Sequence, residues 1–429
     1  MPSSENGLIA PVRPTVGERP SDKQILHELF HAALNAATPE GKFGGILPHP
    51  PKGRTIVIGA GKAAASMARA FEDAWGRPCE GLVVTRYGHS APTRHVEVVE
   101  AGHPVPDDAG MAGAQRVFQL ASSAGADDLV VCMMSGGASA LLTMPYPGIS
   151  LSDKQAITSA LLRCGAPISA INTVRRSLSA IKGGRLGAAA MPAKIVTYLI
   201  SDVPGDAPAT IGSGPTILTP STPDAALSIL DEYEIAVPES VRSAILRNRV
   251  PDSTLGSGEI HTIATPRMAL EAAAAKARAM GIEPIILGDA IEGEARELGI
   301  AFAGIVRSVL THADPVRKPC VLLSSGETTV TLRGRGRGGR NTEFLLSLRH
   351  QLRNTPGFAA IACDTDGIDG SEDNAGAWIG DIMPDDPLDL TRSYLNSNDA
   401  YSYFERIGRL VVTGPTLTNV NDFRALLVR

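Results

Sequence analysis

The sequence predicts an α/β protein of two domains. Its 429 residues exceed what one hydrophobic core commonly supports, since single cores stop growing near about 250 to 300 residues. Strand-like apolar runs alternate with helical patterns in "TIVIGA", "GLVVT", "VEVVEA", "DLVVCMMS" and "KIVTYLIS" and the segments between them. Such alternation indicates βαβ units, so the first domain is predicted to be a parallel sheet with helices on both faces.

Composition limits the function classes. The formal net charge of −5 gives no general attraction to nucleic acid or to an anionic membrane, so neither is expected as a partner. No run reaches the roughly 18 consecutive apolar residues of a membrane span. The five cysteines form no C-x-x-C pair, which favours reduced thiols and a cytoplasmic location.

The elements follow in order along the chain. Residues 1–21 are rich in proline and charge and are predicted to be a loose arm. Ser21 and Gln24 form a capping-box pattern that begins the first helix. The stretch "NRVPDSTLGSGE" interrupts the α/β alternation and predicts a linker, which divides the chain into domains 22–250 and 251–429. A second α/β series starts with "IHTIA" and continues through "EPIILG", "PCVLLSSGETTVTL" and "FAAIACDTDG".

A glycine turn follows the first strand in "IVIGAGKAAA". Gly59, Gly61 and Ala64 fit G-x-G-x-x-A, the turn of Rossmann-like domains, in which helix N–H groups can receive a phosphate. A dinucleotide site also requires an acid at the end of the second strand, where this sequence has Arg86 and Tyr87. The turn therefore predicts a Rossmann-like domain without a complete dinucleotide fingerprint.

Lys62 stands within this turn, at a predicted helix N-terminus. The P-loop pattern G-x-x-x-x-G-K-[ST] fails, because Ile56 and Ala63 occupy the positions of its first glycine and its hydroxyl. A lysine at a helix start opposes the helix dipole, and an anionic ligand would relieve that cost. Lys62 is accordingly predicted to contact an anion.

"MMSGGASALL" joins another apolar strand to a helix. Ser135, Gly136, Gly137 and Ser139 form a glycine-rich turn whose exposed N–H groups would make an anion nest at the carboxyl edge of the sheet. A tight structural turn is the alternative. A nucleophilic serine is disfavoured, because the G-x-S-x-G elbow is absent.

Basic residues gather in "NTVRRSLSAIKGGRLGAA". Asn172 and Arg175 lie one helical turn apart and can face one cleft. Lys182 and Arg185 are interpreted as ordinary complements of a helix C-terminus, where cations are favourable.

Carboxylates follow two apolar strands of the sequence. Asp202 in "ISDVPGD" is predicted either to hold magnesium or only to form a turn. Asp364, Asp366 and Asp369 in "CDTDGIDG" resemble the first half of an EF-hand loop, but the later glutamate is missing. Magnesium or a substrate hydroxyl is the expected partner.

The segment "SSGETTVTLRGRGRGGRNTEF" combines glycine with arginine. It resembles an RGG segment for nucleic acid, but it occurs once and joins a strand to a helix. Arg340 and Asn341 begin that helix, which would place the guanidinium where a phosphate docks. The candidate substrate- and phosphate-binding residues are then Gly61, Ser135, Gly136, Gly137, Ser139, Asn172, Arg175, Ser213, Gly214, Glu327 and Asn341.

Nine blocks in order carry a family resemblance. They are "GAGKAA", "HPVPDD", "SGGASALL", "NTVRRSLSAIKGGRL", "ISDVPGD", "GSGPT", the arginine segment above, "DTDGIDG" and "TGPTLTNVND". From about residue 22 to its end the chain resembles the glycerate 2-kinase family with the MOFRL C-terminal domain. The resemblance implies phosphorylation of D-glycerate at its 2-hydroxyl by ATP with magnesium, giving 2-phosphoglycerate and ADP, in a cleft between two α/β domains.

The resemblance places a cleft lysine and arginine at Lys62 and Arg340. With Asp202 and Asp366 these are the candidate catalytic residues, and Asp202, Asp364 and Asp366 are the candidate magnesium ligands. Phosphoryl transfer suits this set, because it needs positioning and charge neutralisation more than covalent chemistry.

Several alternatives stay open at this point. Members of the family have often been labelled hydroxypyruvate reductase, so an NAD(P)H-dependent reductase is a second hypothesis and a non-catalytic sugar-acid sensor is a third. Either Arg175 or Arg340 could bind the substrate carboxylate. The sequence does not decide which domain binds ATP, and a homodimer also stays open.

Overall fold

The protein contains two six-stranded sheets that share one apolar core and both contribute to a charged cleft. The computed structural model describes residues 20–219, 222–249, 258–380 and 382–429. Most of the predicted N-terminal arm, and residues 250–257 of the predicted linker, lie outside these ranges. The two-domain α/β prediction is confirmed.

The first sheet is entirely parallel and has the order β3-β2-β1-β4-β5-β6. This is the order of doubly wound dinucleotide-binding sheets, in which the connections reverse direction between β1 and β4 and ligands bind outside the carboxyl ends of those two strands. The strands are β1 (Thr55–Ala60), β2 (Glu80–Arg86), β3 (Val96–Ala101), β4 (Leu129–Met134), β5 (Lys194–Ile200) and β6 (Glu259–Ala264).

Strand β6 corrects the sequence interpretation. The sequence pattern places "IHTIA", which forms most of β6, at the start of the second α/β series. In the structure β6 instead pairs in parallel with β5 of the first sheet. A division of the chain at residue 250 therefore separates this strand from the sheet that it completes. The apolar pattern predicts a strand but does not encode which neighbour it pairs with, because pairing is set by tertiary contacts.

Helices cover both faces of the first sheet. Helix α1 begins with the predicted capping box, since the Ser21 hydroxyl accepts from the Gln24 amide at 3.3 Å and the Ser21 amide donates to the Gln24 side chain at 2.8 Å. The helices are α1 (Asp22–Ala37), α2 (Ala64–Trp75), α3 (Asp108–Ser122), α4 (Ala138–Leu141), α5 (Leu151–Arg163), α6 (Ile168–Ser177), α7 (Arg185–Ala189), α8 (Pro223–Glu232) and α9 (Glu239–Arg247), with 3₁₀ turns at Pro204–Asp206 and Ile211–Ser213. Helices α5, α6, α8 and α9 share an apolar cluster of their own.

The second sheet is mixed and has the order β13-β12-β11-β14-β9-β7. Only β7 and β9 pair in parallel. Its strands are β7 (Glu283–Gly288), β9 (Cys320–Gly326), β11 (Phe358–Asp364), β12 (Gly376–Ile379), β13 (Leu410–Val411) and β14 (Asp422–Val428), and β8 (Gly293–Glu294) pairs with β10 (Thr328–Thr329) beside it. The helices are α10 (Pro266–Ala279), α11 (Ala295–His312), α12 (Arg340–Gln351), α13 (Leu388–Asn396) and α14 (Ala400–Arg406).

One apolar core runs between the two sheets. Helix α1 packs on α10 and on β11 and β14, so a helix from the start of the chain covers the second sheet. The rings of Phe30 and Phe423 lie 5.7 Å apart in this contact. Burial of this aromatic surface fixes α1 against the second sheet.

All five cysteines are free thiols in the structure. Among the described helices none is long and apolar enough to cross a membrane.

Candidate active site

Lys62 connects the two halves of the cleft. It follows β1, and its Nζ lies 2.6 Å from Oδ2 of Asp366, which follows β11 of the second sheet. Arg86 at the end of β2 lies 3.9 Å from the same carboxylate. Burial opposes the charge of Lys62, but the carboxylates of Asp366 and Asp364 outweigh that effect and raise the lysine pKa. Lys62 is therefore a fixed cation in the cleft.

Asp366 is almost fully buried beneath this contact. Burial works against its ionisation, but the charge and hydrogen bond of Lys62 lower its pKa below the usual value. Its Oδ1 accepts the Ile368 amide at 2.9 Å. Asp366 is thus an ionised carboxylate whose main partner is the lysine.

The glycine turn before α2 uses its amides internally. Gly61 has a φ of +138°, and a Cβ there would lie 2.1 Å from Oγ of Ser135. The backbone amide of Gly61 donates to the Val84 carbonyl at 3.0 Å, and that of Lys62 donates to the Gly136 carbonyl at 2.8 Å. The Ala63 amide donates to the Ser135 hydroxyl at 3.0 Å. These amides cannot also bind a phosphate, so Gly61 and Ser135 act through close packing of the turn.

Gly136 allows Asp202 to approach the turn. A Cβ on Gly136 would lie 1.9 Å from Oδ2 of Asp202 and 2.2 Å from Nδ2 of Asn419. The Asn419 amide donates to Asp202 Oδ2 at 2.8 Å, and Asn421 donates to the Asp202 carbonyl. Burial raises the pKa of Asp202 to about 6. Among the described residues no cation forms an ion pair with Asp202, which makes it a carboxylate that can accept a proton.

Arg340 is held by two buried carboxylates. Its Nε donates to Asp422 at 2.8 Å and its Nη2 to Asp364 at 2.6 Å. The third nitrogen, Nη1, lies 3.7 Å from the exposed Glu327. The planar guanidinium therefore bridges the ends of β11 and β14. Among the described residues its Nη1 has no acceptor closer than the Glu327 carboxylate.

The start of α12 is not an open phosphate site, contrary to the sequence expectation. Asp369 accepts the amides of Asn341 and Thr342, each at 2.9 Å, and so supplies the negative charge that a helix N-terminus favours. The buried Asn341 side chain donates to Asp422 at 2.7 Å. Asn341 thereby orients the carboxylate that holds Arg340. The sequence pattern "CDTDGIDG" contains Asp369. Its role as a helix cap depends on the contact of this loop with the start of α12, which the sequence does not show.

The three predicted metal ligands all act on Lys62, since the charges of Asp366, Asp364 and Asp202 raise its pKa, but each has a different side-chain partner. Asp366 binds Lys62, Asp364 binds Arg340, and Asp202 binds Asn419. Within the described ranges no group of three or more His, Cys, Asp or Glu side chains could hold a metal ion. The role of Asp202, Asp364 and Asp366 as magnesium ligands stays a prediction. Sequence position placed each carboxylate at a strand end but could not show that Asp364 and Asp366 already pair with cations.

Other predicted binding residues line a neighbouring cavity of about 600 Å³. Gly137, Ser139 and Arg175 contribute to its wall, and Ser139 Oγ lies 2.9 Å from Oγ of the buried Ser213. Gly214 has a φ of +61°, which suits glycine in this turn. Asn172 is buried on α6 and is not part of the cavity wall.

Lys182 corrects a second interpretation. Helix α6 ends at Ser177, so neither Lys182 nor Arg185 lies in its last turn. Lys182 is fully buried and lines the cavity, whereas Arg185 donates to the carbonyl of Lys182 at 2.9 Å and to Asn248 at 2.8 Å. Arg185 therefore has a structural role. Lys182 lies in the cavity wall and does not complement a helix C-terminus.

Sequence reasoning did not single out three further cleft and cavity residues. Asp422, Asn419 and Lys154 contact or line the sites described above. The polar run "TLTNVND" before an apolar strand signals the first two, because polar residues at a strand end favour a site. Lys154 carries no such signal, since it looks like a surface lysine of an amphipathic helix.

The fold and the cleft define a two-domain α/β protein. Its lysine, arginine and carboxylate side chains meet where the carboxyl ends of β1 and β5 of the parallel sheet face the ends of β11 and β14 of the mixed sheet. Residues 25–246 match the domain of unknown function DUF4147, and residues 320–422 match the MOFRL family. The chain belongs to the glycerate kinase family, which combines these two domains. The family prediction is confirmed.

Individual relatives agree over nearly the whole chain. A D-glycerate 2-kinase of Thermotoga maritima is 38% identical over 409 residues, which cover 93% of this chain and 97% of the relative. The crystal structure of a glycerate kinase from the same organism has a TM-score of 0.86 and covers 95% of this chain and 99% of its own. A protein of Agrobacterium vitis, provisionally named a hydroxypyruvate reductase, is 50% identical over 416 residues and 95% of each chain.

Proposed function

We propose that this protein transfers the γ-phosphoryl group of ATP to the 2-hydroxyl of D-glycerate, giving 2-phosphoglycerate and ADP. The observation that carries the proposal is the cleft in which Lys62, Arg340 and the carboxylate of Asp202 converge from both sheets. Relatives named D-glycerate 2-kinase and glycerate kinase support it. Magnesium enters as part of the nucleotide substrate, since no group of three or more His, Cys, Asp or Glu side chains among the described residues could hold it.

Each charged residue of the cleft has a different role in this reaction. Lys62 neutralises negative charge that develops on the transferred phosphoryl group. Asp202 accepts the proton of the 2-hydroxyl, because its carboxylate has no ion-pair partner among the described residues. Asp366 fixes the lysine ammonium at 2.6 Å. Electrostatic preorganisation of this kind is the main contribution that a phosphotransferase makes.

Arg340 binds the carboxylate of D-glycerate through Nη1, the nitrogen without a close acceptor. Arg175 is the less suitable of the two arginines, because it lines the neighbouring cavity and does not face the Lys62–Asp366 pair. Asp364 and Asp422 hold the other two Arg340 nitrogens and fix the guanidinium plane. A fixed donor favours recognition because little freedom is lost on binding.

The reductase hypothesis is disfavoured by the same turn that suggested it. The strand order suits a dinucleotide, but the turn amides that would bind a pyrophosphate already donate to protein acceptors. The end of β2 also carries Arg86, which faces Asp366, where an NAD site needs an acid. The provisional reductase name of some relatives is therefore not matched by this geometry.

One pair of assays tests the proposal. The purified chain with D-glycerate, ATP and magnesium is expected to release ADP, and ³¹P NMR is expected to identify the product as 2-phosphoglycerate. The same preparation with hydroxypyruvate and NADH or NADPH is expected to leave the cofactor unoxidised. Oxidation of the cofactor without ADP release would establish the reductase, and D-glycerate binding with neither reaction would establish a sensor.

The pH dependence tests the role of Asp202. Because its pKa is raised to about 6, the carboxylate is protonated at lower pH and cannot accept a proton there. We expect kcat to fall as the pH drops through about 6. Asp202→Asn is expected to lower kcat by about 10²-fold or more and to remove this acidic limb. Asp202→Asn should also leave the dependence on magnesium concentration unchanged; a raised magnesium requirement would instead make Asp202 a metal ligand.

A further inference from the structure

Basic side chains, but no acidic ones among the described residues, line the cavity beside the cleft. It is formed by α5, by the turns that contain Gly137 and Lys182, and by the segment 103–106. Its volume is about 600 Å³, within the range of sites for nucleotide-sized ligands. In the described part of the chain its wall contains no aspartate or glutamate.

Three positive side chains contribute to this wall. Lys154 is only 6% exposed, and its Nζ has no hydrogen-bond partner among the described residues. Lys182 is fully buried, and its Nζ donates only to the Gly212 carbonyl, at 3.1 Å. Arg175 is half-buried on α6 and reaches the same cavity. Each of these groups can donate several further hydrogen bonds into the cavity.

Such a cluster is unfavourable without a ligand. Burial lowers the pKa of Lys154 to about 8 and that of Lys182 well below its usual value, and the neighbouring positive charges lower both further. An isolated buried charge is costly unless it is paired. A ligand with several negative charges would pair all three groups at once.

We propose that this cavity binds the polyphosphate of ATP, with Lys154, Arg175 and Lys182 as its cationic partners. The inference rests on the proposed kinase function and adds the position of the nucleotide, on the first domain. The neighbouring Lys62–Arg340 cleft is left for D-glycerate.

The nucleotide fits this cavity better than D-glycerate does. A single small carboxylate would neither fill the volume nor neutralise three cations. The exposed side chains of Val105 and Leu162 offer apolar contact for a base at the cavity mouth. Gly137 joins the two sites, because a Cβ built on it would lie 3.3 Å from Cγ of Lys62. A phosphate at this end of the cavity therefore meets the catalytic lysine.

Direct binding measurements test the position without relying on turnover. Isothermal titration of ADP and of D-glycerate is compared between the unmodified chain, Lys154→Met and Lys154→Arg. We expect Lys154→Met to raise the Kd for ADP by about tenfold or more and to leave the Kd for D-glycerate within about twofold. Lys154→Arg should restore most of the ADP affinity, because it keeps the charge. Lys52→Met, which removes an exposed lysine outside both sites, is the matched control.

A second variant protects the test against misfolding. Thr158→Trp fills the cavity from its wall without removing charge, and it should weaken ADP binding as well. Unchanged ADP affinity in both folded variants would overturn the inference, and so would a selective loss of D-glycerate affinity, which would make the cavity the acid site. Kinase turnover in the unmodified chain with ADP binding independent of Lys154 refutes only this inference. Lys154-dependent ADP binding without phosphorylation of D-glycerate refutes only the proposed function.

Discussion

Replacement of Lys62 by alanine is expected to lower turnover by about 10³-fold or more. The ammonium is fixed 2.6 Å from Asp366 and faces the cleft, so its contribution to the transition state costs no reorganisation. Steady-state kinetics with D-glycerate and ATP measure the loss. The exposed Lys52→Ala provides the control and should keep the unmodified rate.

Stability and catalysis can be separated at this position. Removing Lys62 leaves the buried Asp366 with only the more distant Arg86, at 3.9 Å, as a cation, which is expected to cost about 3 kcal/mol in the free energy of unfolding. The double variant Lys62→Ala/Asp366→Asn removes both charges and should recover most of that stability while staying inactive. Near-normal turnover in either folded variant would refute a catalytic role for Lys62.

Arg340→Lys is expected to lower kcat/KM by about 10²-fold, although the positive charge is kept. A lysine cannot contact Asp364 and Asp422 while also presenting a third donor to the substrate, because it lacks the planar fork. The loss should appear mainly as a raised KM for D-glycerate, with the KM for ATP little changed. Kinetics with each substrate varied in turn make this distinction.

Arg337→Lys is the matched control for this prediction. Arg337 belongs to the same glycine-rich segment, is about half exposed and pairs with Glu372 on the outside of the cleft. Its replacement should leave kcat/KM within about twofold, since exposed ion pairs contribute little. If Arg340→Lys matched this control in activity, binding of the substrate by the guanidinium fork would be wrong. A rise in the KM for ATP instead would assign Arg340 to the nucleotide.

The cleft lysine and arginine were accessible to sequence reasoning because each stands in a rare local context. Lys62 occupies a glycine turn after an apolar strand, and Arg340 begins a helix after a glycine-rich segment. The partners of both residues were less accessible. Asp422 lies 82 positions from Arg340, and Asp366 lies 304 positions from Lys62, so only the folded chain shows which carboxylate binds which cation.

The strands divide in the same way. Apolar runs bounded by glycine and proline determined where β1, β2, β3, β4 and β5 lie, because strand formation responds to local pattern. Only the structure shows how the remaining strands pair. Strand β6 pairs within the first sheet, and β14 lies antiparallel between β9 and β11 in the second sheet. A hydrophobic pattern with a period of two residues predicts a strand, but it does not determine which strand lies beside it.

The sequence by itself determined the α/β class, the family and the residue types of the charged cleft. Tertiary structure alone decided that Asp364 and Asp366 are already paired with cations, that Asp369 caps α12, and that Lys154 and Lys182 are buried beside one cavity. The physical reason is that burial and charge pairing arise between segments distant in sequence. Local sequence determines the chemistry that a side chain can offer, and the packed fold determines the solvent and the counter-charges it meets.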